Sequence, residues 1–348
     1  MVVDVVPLAD GRPGTAEALG GMTDVVVLSD ASLAAPGTDP AEAASRGSSR
    51  ALGTLLASAL GTEARTVLLA LGRAPATTVP WADGGAGLLV GLAEGLGTPV
   101  PDAARLDRGG PALRGVSSAD LPDLGALRRA LAGRDVRVAH LAPDALLGLG
   151  GLAGSLTPDV LDAASSQELE RSLGDLVHAI AAARAGTLVG RDLLGGAAAP
   201  TTSARAVADH ARELGALRGG AAGGGAALAL AALGVPLVPA ATLVADLAGV
   251  AGRVAAADLV VVLVPLLDGD ESHDGVLPVV AEAALDAAVP VVVLAGTSLS
   301  GRREWSALGV AAVHETGWRS ADDVVGPDGT TLDDASDRVA RVARTWRL

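Results

Sequence analysis

Short apolar runs alternate with longer Ala- and Leu-rich stretches along nearly the whole chain. The short runs are rich in valine and mostly unbroken by polar residues, which is typical of strands buried on both faces of a parallel sheet. The longer stretches have the length and periodicity of crossover helices. Strands are predicted at residues 2–7, 24–28, 66–71, 136–139, 258–265, 289–294 and 310–314. Helices are predicted at residues 48–60, 85–95, 166–183, 202–214, 224–233, 277–287 and 332–344.

This alternation predicts an α/β fold with parallel sheets. The strands at residues 2–7, 258–265, 289–294 and 310–314 are expected to share one mostly parallel sheet. The pattern changes after Pro236 and Pro239, where the last third of the chain becomes a cleaner strand–helix alternation. We therefore place a domain boundary in this region.

Composition excludes several classes of protein. Half of the 348 residues are hydrophobic and 19% are charged, which rules out a disordered chain. Aromatic residues make up only 1%, so the core must be built from Leu, Val and Ala with close backbone packing. Without cysteine the chain has no disulfide, thiolate nucleophile or Cys-ligated metal.

The net charge of the chain limits its possible partners, and the length of its apolar runs limits its possible location. A net charge of -14 argues against binding to nucleic acid or to an anionic membrane surface. The apolar runs are strand-sized and too short to span a bilayer, and the N-terminal residues do not read as a signal peptide. These features predict a soluble, cytoplasmic protein, and they leave its oligomeric state open.

Two glycine-containing turns follow predicted strands. The first holds Asp10, Gly11, Gly14 and Thr15, and a turn of this kind can present N–H groups to an anion while its carboxylate holds a metal or a hydroxyl. The second, residues 83–87, opens an apolar helix, where Asp83 could cap the helix and the glycines could admit a ligand. The alternative for the first turn is an ordinary strand-to-helix turn, and the alternative for the second is an N-cap with close packing.

Two further segments are candidates for phosphate or metal binding. The glycine-rich residues 219–225 precede a helix and could cradle phosphates, although without lysine they cannot form a Walker A loop. A flexible linker is the alternative. The segment 268–275 carries four acids and a histidine at the end of a predicted strand and could bind Mg²⁺ or Ca²⁺. Its alternative is a solvated acidic loop.

Taken together and in this order, the motifs resemble the bacterial glycerate kinase family with two α/β domains. Each segment is similar to a stretch typical of that family. Residues 9–19 resemble ADGGEGTVEAL, 83–88 NDGGAGML, 220–224 GAGAAGGLGAAL, 257–278 ADLVITGEGRID…GKTP, and 289–296 GVPVIALAG. The similarity covers nearly the whole chain, and the order of the motifs makes it specific.

The resemblance implies two α/β domains around a cleft. Residues 1–20 and 235–348 would form a discontinuous Rossmann-like domain, and residues 21–234 an inserted α/β domain. The implied activity is the ATP- and Mg²⁺-dependent phosphorylation of glycerate, with a small hydroxy acid and a nucleotide as partners. The implied catalytic residues are Asp268, Asp10 and Asp83, and Asp268 and Asp270 would hold the metal. The implied nucleotide-binding residues are Gly11, Gly14, Thr15, Gly84, Gly85, Gly220, Gly223 and Gly224. Asp10, Asp83, Asp268 and residues 219–225 are expected to converge on one pocket between the domains.

Several family positions are replaced in this chain. The acid and arginine of the GEGR run are replaced in the stretch that includes Val264 and Leu266, the GKTP lysine is Val276, and a carboxylate of the CDVxNPLLG segment is Leu141. The chain also begins at what looks like the family's second strand, so the sheet is expected to be one strand short, with an exposed edge or a partner contact. Two hypotheses follow: a glycerate kinase of weak or lost activity, and a non-catalytic relative that binds a metabolite, nucleotide or protein.

Overall fold

The computed structural model describes residues 3–9, 24–33, 39–72, 81–141, 144–156, 159–189, 204–317 and 332–346. It confirms the α/β class, because the strands form two sheets in which every pair is parallel. The chain divides into two compact units: the smaller contains Met1–Asp10 and Ala241–Leu348, and the larger contains Gly11–Ala240. The assignment of residues 1–20 and 235–348 to a Rossmann-like domain, and of 21–234 to an inserted domain, stays a prediction.

The larger unit holds a four-stranded sheet in the order β1-β2-β3-β4. Its strands are β1 Val25–Ser29, β2 Thr66–Leu71, β3 Asp135–His140 and β4 Leu237–Pro239. Leu71 lies opposite His140, which in turn lies opposite Pro239. The carboxyl ends of β2, β3 and β4 therefore meet at one edge of the sheet, where ligands bind in open α/β folds.

Nine α-helices are described in this unit. They are α1 Pro40–Arg46, α2 Arg50–Leu60, α3 Ala86–Gly95, α4 Ala103–Leu106, α5 Leu124–Leu131, α6 Leu152–Ser155, α7 Ala163–Val189, α8 Ala204–Gly215 and α9 Ala226–Ala232. Short 3₁₀ segments lie at Asp30–Leu33, Gly110–Leu113 and Ala222–Gly225. Across the described part of the chain, no helix is long and apolar enough to span a membrane.

Small residues allow close helix packing in this unit, as the composition predicts. Helices α2 and α3 approach backbone to backbone: a Cβ at Gly91 would lie 2.1 Å from the carbonyl oxygen of Arg50. A Cβ at Gly53 would lie 2.2 Å from the carbonyl oxygen of Leu88. The close approach compensates for the small area that each Ala and Gly can bury.

The smaller unit holds a three-stranded parallel sheet in the order β5-β6-β7. Its strands are β5 Val260–Leu267, β6 Val291–Ser298 and β7 Val310–Glu315. Its helices are α10 Ala240–Leu247, which starts at the unit boundary, α11 Val250–Ala255, α12 Gly269–Asp274, α13 Val276–Asp286, α14 Arg302–Ala307 and α15 Leu332–Thr345. β5 is an outer strand, and its Val261 and Leu263 are 44% and 69% exposed. The expectation that this sheet is one strand short stays a prediction.

The strand predicted at residues 2–7 is wrong over its described part. Residues 3–9 form no strand, so only the other three predicted strands share the sheet. Val6 and Leu8 pack against the core of the smaller unit, whereas Val3 and Val5 are exposed. Asp4 forms an ion pair of 2.7 Å with Arg253. The apolar run at residues 2–7 therefore reflects packing of this segment on one side, without backbone pairing over its described part.

Candidate functional site

Asp83 is fully buried, with 0% of its surface exposed, and it joins two helices of the larger unit. One carboxylate oxygen accepts hydrogen bonds from the Ser49 backbone N–H at 2.7 Å and the Gly87 N–H at 3.0 Å. The other accepts from the Gly85 N–H at 2.9 Å. The Ser49 hydroxyl donates to the same carboxylate at 2.8 Å and accepts from the Leu88 N–H. Asp83 therefore anchors the N-terminal ends of α2 and α3.

The surroundings of Asp83 affect its protonation in opposite directions. Burial raises the pKa of the Asp83 carboxyl above its ordinary value of 3.8, and the hydrogen bonds from Ser49, Gly85 and Gly87 offset part of that rise. Because the described neighbours take up the carboxylate, this geometry supports an anchoring role, in agreement with the N-cap alternative. The catalytic role implied by the family resemblance stays a prediction.

The glycine-rich segment formed by residues 219–225 packs directly on the turn that contains Asp83. The Gly84 N–H donates to the Gly224 carbonyl oxygen at 2.9 Å, and Trp81 Nε1 donates to the Gly223 carbonyl oxygen at 2.7 Å. The Gly223 N–H donates to the carbonyl oxygen of Gly72, just after β2, at 2.9 Å. The structure thus brings two of the four sequence motifs together at the carboxyl end of the sheet.

Residues 219–225 are buried, and their last four residues form a 3₁₀ turn. The flexible-linker alternative is therefore wrong. Carbonyl groups of the protein already accept five of the backbone N–H groups. These donors are Gly220, Ala221, Ala222, Gly223 and Gly225, bonded to the carbonyl oxygens of Leu217, Asp144, Gly219, Gly72 and Ala221. This geometry supports a packing role, and nucleotide binding by Gly84, Gly85, Gly220, Gly223 and Gly224 stays a prediction.

The acidic residues 268–275 of the smaller unit form helix α12 and its two caps, so the alternative of a solvated loop is wrong. Asp268 caps α12 and accepts the Glu271 N–H at 2.9 Å. Glu271 is buried, and its carboxylate accepts the Leu277 N–H in the first turn of α13 at 3.1 Å. Asp270 is exposed. The acidic residues fold as a helix because two of them satisfy backbone donors at helix starts.

Glycine at position 275 makes room for the buried Glu271, since a Cβ there would lie 2.4 Å from the Glu271 carboxyl carbon. Replacing Glu271 with alanine should lower the free energy of unfolding by about 1–2 kcal/mol, because the Leu277 N–H loses its acceptor. Urea denaturation measures this loss. The matched control is Glu282→Ala on the exposed side of α13, which should stay within about 0.5 kcal/mol. Equal losses in the two variants would contradict the capping role.

The other predicted site residues lie either outside the described residues or in the smaller unit. Asp10, Gly11, Gly14 and Thr15 lie outside the described residues. Asp268 and Asp270 lie in the smaller unit, so the convergence on one pocket and the metal role of these two residues stay predictions. Within the described ranges, no group of three or more His, Asp or Glu side chains is arranged to hold a metal ion.

Apolar side chains occupy the positions where the family resemblance places charged groups. Val264 is 6% exposed and belongs to the core of the smaller unit, and Val276 packs against that core. Leu266 is half-buried on the same strand as Val264. None of these three side chains offers a charge to a ligand.

A solvent-open cavity of about 500 Å³ lies at the surface of the larger unit, beside the carboxyl ends of β3 and β4. Sequence reasoning missed it, because the residues that line it are far apart in the chain. Its polar lining residues are His140, Arg184 and Arg218, and its other lining residues are Leu214, Leu217, Ala231, Val235, Leu237 and Pro239. The position of His140 at the end of a buried strand was the one signal that could have indicated a site here.

Parallel sheets with glycine-rich turns at the carboxyl ends of their strands define a class of α/β proteins that bind small ligands. Within that class, the family model of the glycerate kinase family matches residues 34–344, and the chain therefore belongs to this family. The fold is similar to the crystal structure of a protein assigned as glycerate kinase 2 of Salmonella typhimurium LT2. That match has a TM-score of 0.68 and 23% sequence identity, and covers 98% of this chain and 86% of the other. The comparison with curated proteins gives no match.

Proposed function

We propose that this member of the glycerate kinase family phosphorylates glycerate weakly or not at all. The observation that carries the proposal is the side chain of Val264, buried in the core where the family resemblance places an acid. Leu266 and Val276 replace an arginine and a lysine of the same region, and Leu141 replaces a carboxylate. The replacements fall on charged groups, whereas the glycines and the apolar strands remain.

Phosphoryl transfer depends on charge at fixed positions. Cationic groups and metal ions stabilise the transferring phosphoryl group, and a carboxylate orients or deprotonates the attacking hydroxyl. The family resemblance implies ATP and Mg²⁺. The described residues do not fit that pair, because valine and leucine stand at the charged positions and Asp268 caps a helix.

The groups that could still take part in catalysis are few. By resemblance, Asp268 and Asp10 are the carboxylates that could contact a substrate, while Asp83 is enclosed by its donors. Positive charge would have to come from Arg12, Arg73 or Arg218, of which Arg218 lines the cavity of the larger unit. Arginine binds a planar carboxylate or phosphate well, but it does not replace a lysine placed for another geometry.

A coupled assay of ADP release with D-glycerate, Mg²⁺ and ATP tests the proposal. Loss of one preorganised charge-stabilising group typically lowers the rate about 10²- to 10³-fold, so we expect turnover at least 100-fold below an ordinary rate of about 10 s⁻¹. The losses need not multiply when the groups act together. Asp268→Ala and the exposed Asp286→Ala serve as a matched pair. Turnover near 10 s⁻¹ that only Asp268→Ala abolishes would contradict the proposal and show a working kinase.

The second candidate is a non-catalytic protein that binds a metabolite, and the cavity lined by His140, Arg184 and Arg218 favours it. In that case a hydroxy acid or a nucleotide would bind without ADP release. For either candidate function, we propose that the protein is cytoplasmic. Isothermal titration calorimetry with D-glycerate and with ATP separates the candidates. Binding together with turnover indicates the kinase, and binding without turnover indicates the non-catalytic relative.

A further inference from the structure

Strand β5 is paired on one side only within the described residues. It pairs with β6, and no described strand pairs with its outer side. The Val260 N–H donates to the Pro290 carbonyl oxygen, just before β6, at 3.0 Å. Because backbone groups of successive strand residues point to opposite sides, the N–H and C=O groups of Val261 and Leu263 point away from β6. The outer side of β5 is therefore a template on which a further strand can pair.

Pro265 has a position that suits an outer strand. It belongs to the same alternating set as Val261 and Leu263, so its nitrogen, which has no hydrogen to donate, faces away from β6. Proline is largely confined to such positions, because in a central strand it would interrupt the ladder. Its place near the end of β5 limits further pairing to the part of the strand before it.

The side chains that β5 exposes are apolar. Val261 is 44% exposed and Leu263 is 69% exposed. They lie opposite Val292 and Leu294 of β6, which are both buried. A further strand would place its own side chains beside Val261 and Leu263, and the contact would remove apolar surface from water.

The charge around β5 indicates which kind of segment fits. Asp258, which is exposed, precedes the strand, and Asp268 follows it. The smaller unit as a whole has eighteen acidic residues and eight arginines, which gives a net charge of -10. A second copy paired antiparallel through β5 would bring acidic ends together, and the two units would repel each other. A segment with a basic residue at each end has the complementary charge.

We propose that the outer side of β5 binds an extended segment of another protein, which adds a strand to this sheet beside Val261 and Leu263. The segment has alternating apolar residues between two basic ends. Its backbone provides affinity through the ladder, and its side chains and charges provide specificity. The inference goes beyond the proposed function, because it requires neither glycerate nor ATP.

Calorimetric titration of the full chain with capped synthetic peptides tests this site. The probe is Arg-Val-Thr-Val-Thr-Val-Arg, and the control peptide has glutamate in place of both arginines. The basic peptide should bind with a Kd of about 1 mM or lower. The acidic peptide should bind at least about 10-fold more weakly, because its ends repel Asp258 and Asp268.

Leu263→Lys should weaken binding of the basic peptide at least about 10-fold, because a lysine on an outer strand removes the apolar contact and repels the basic ends. Leu285→Lys is the matched control, since Leu285 is also 69% exposed but lies on α13, and its affinity should not change. Asp258→Asn should weaken binding about 2- to 5-fold, the effect of losing one exposed ion pair. If Leu263→Lys fails to fold, Asp258→Asn and the exchange experiment decide.

Hydrogen exchange of the Val261 and Leu263 amides, measured by NMR, gives a second readout. These amides should exchange rapidly in the protein alone, and saturating basic peptide should slow them at least about 10-fold. Slow exchange without peptide, equal affinities for the two peptides, or equal affinities of Leu263→Lys and Leu285→Lys would overturn the proposal. A dimer in solution that Leu263→Lys dissociates would also overturn it, because a second copy would then cover β5. The ADP-release assay tests the proposed kinase deficiency separately, so either idea can fail alone.

Discussion

Replacing Asp83 with alanine is expected to lower the free energy of unfolding by about 3–5 kcal/mol, because each buried donor left without an acceptor costs about 1–3 kcal/mol. The substitution leaves the backbone N–H groups of Ser49, Gly85 and Gly87 without their acceptor in a place that water does not reach. It also removes the link between α2 and α3. The loss should therefore far exceed that of an ordinary helix cap.

Urea denaturation followed by circular dichroism measures the loss at Asp83. The matched control is Asp123→Ala, because the Asp123 side chain caps α5 through the Ala126 N–H at 3.1 Å but is 58% exposed. An exposed cap of this kind is worth about 1 kcal/mol. Equal losses for Asp83→Ala and Asp123→Ala would show that the buried network contributes no more than a surface cap.

The pH dependence of Asp83→Asn follows from the raised pKa of Asp83, because the variant cannot titrate at this position. A group with a raised pKa in the folded state contributes its full stability below its unfolded pKa of 3.8 and loses it as the pH rises through the folded value. The stability of the wild type relative to Asp83→Asn should therefore fall as the pH rises above 3.8, by up to about 1.4 kcal/mol per pH unit. If the hydrogen bonds outweigh burial, this relative stability rises instead.

Replacing Gly224 with alanine is expected to cost about 2–5 kcal/mol, or to prevent folding of the larger unit. The added Cβ would lie 2.2 Å from the carbonyl oxygen of Trp81, a backbone atom that the surrounding hydrogen bonds hold in place. Gly224 also has a φ of +63°, which costs an L-residue about 1–2 kcal/mol. Steric overlap in a packed core adds about 1–3 kcal/mol.

Gly97→Ala separates the two contributions at Gly224. Gly97 has a similar φ of +70° in the same unit, but a Cβ there would meet nothing within 4 Å. Its substitution should cost only the conformational part, about 1–2 kcal/mol. Thermal and urea denaturation of both variants provide the measurement. A Gly224→Ala variant as stable as Gly97→Ala would mean that the Asp83 turn and the glycine-rich segment are not tightly packed.

Most strands could be predicted from the sequence because continuous apolar runs are a local signal. The strand predicted at residues 66–71 coincides with β2, and the one at 136–139 lies inside β3. β4 was missed, since it has only three residues, and the last of them is a proline that directly precedes the start of α10. Residues 2–7 show the same apolar signal as a strand, yet no neighbouring strand pairs with their described part.

The candidate site was less accessible to sequence reasoning. The spacing of Asp83, Gly84 and Gly85 pointed to a turn before a helix, and the structure has that turn. Whether its carboxylate faces a ligand or the core depends on Ser49, which belongs to a distant helix start. The sequence left the glycines at positions 219–225 open as a phosphate loop or a linker, and only their contacts with Trp81 and Gly84 exclude the linker.

The sequence by itself determined the α/β class, most strand positions and the resemblance to the glycerate kinase family, because each depends on the periodicity and spacing of residues close together in the chain. Only the tertiary structure decided that Asp83 is enclosed, that Val264 belongs to the core, and that His140, Arg184 and Arg218 share a cavity. The reason is that burial and the meeting of distant side chains depend on how the strands and helices pack, and no short stretch of sequence contains that information.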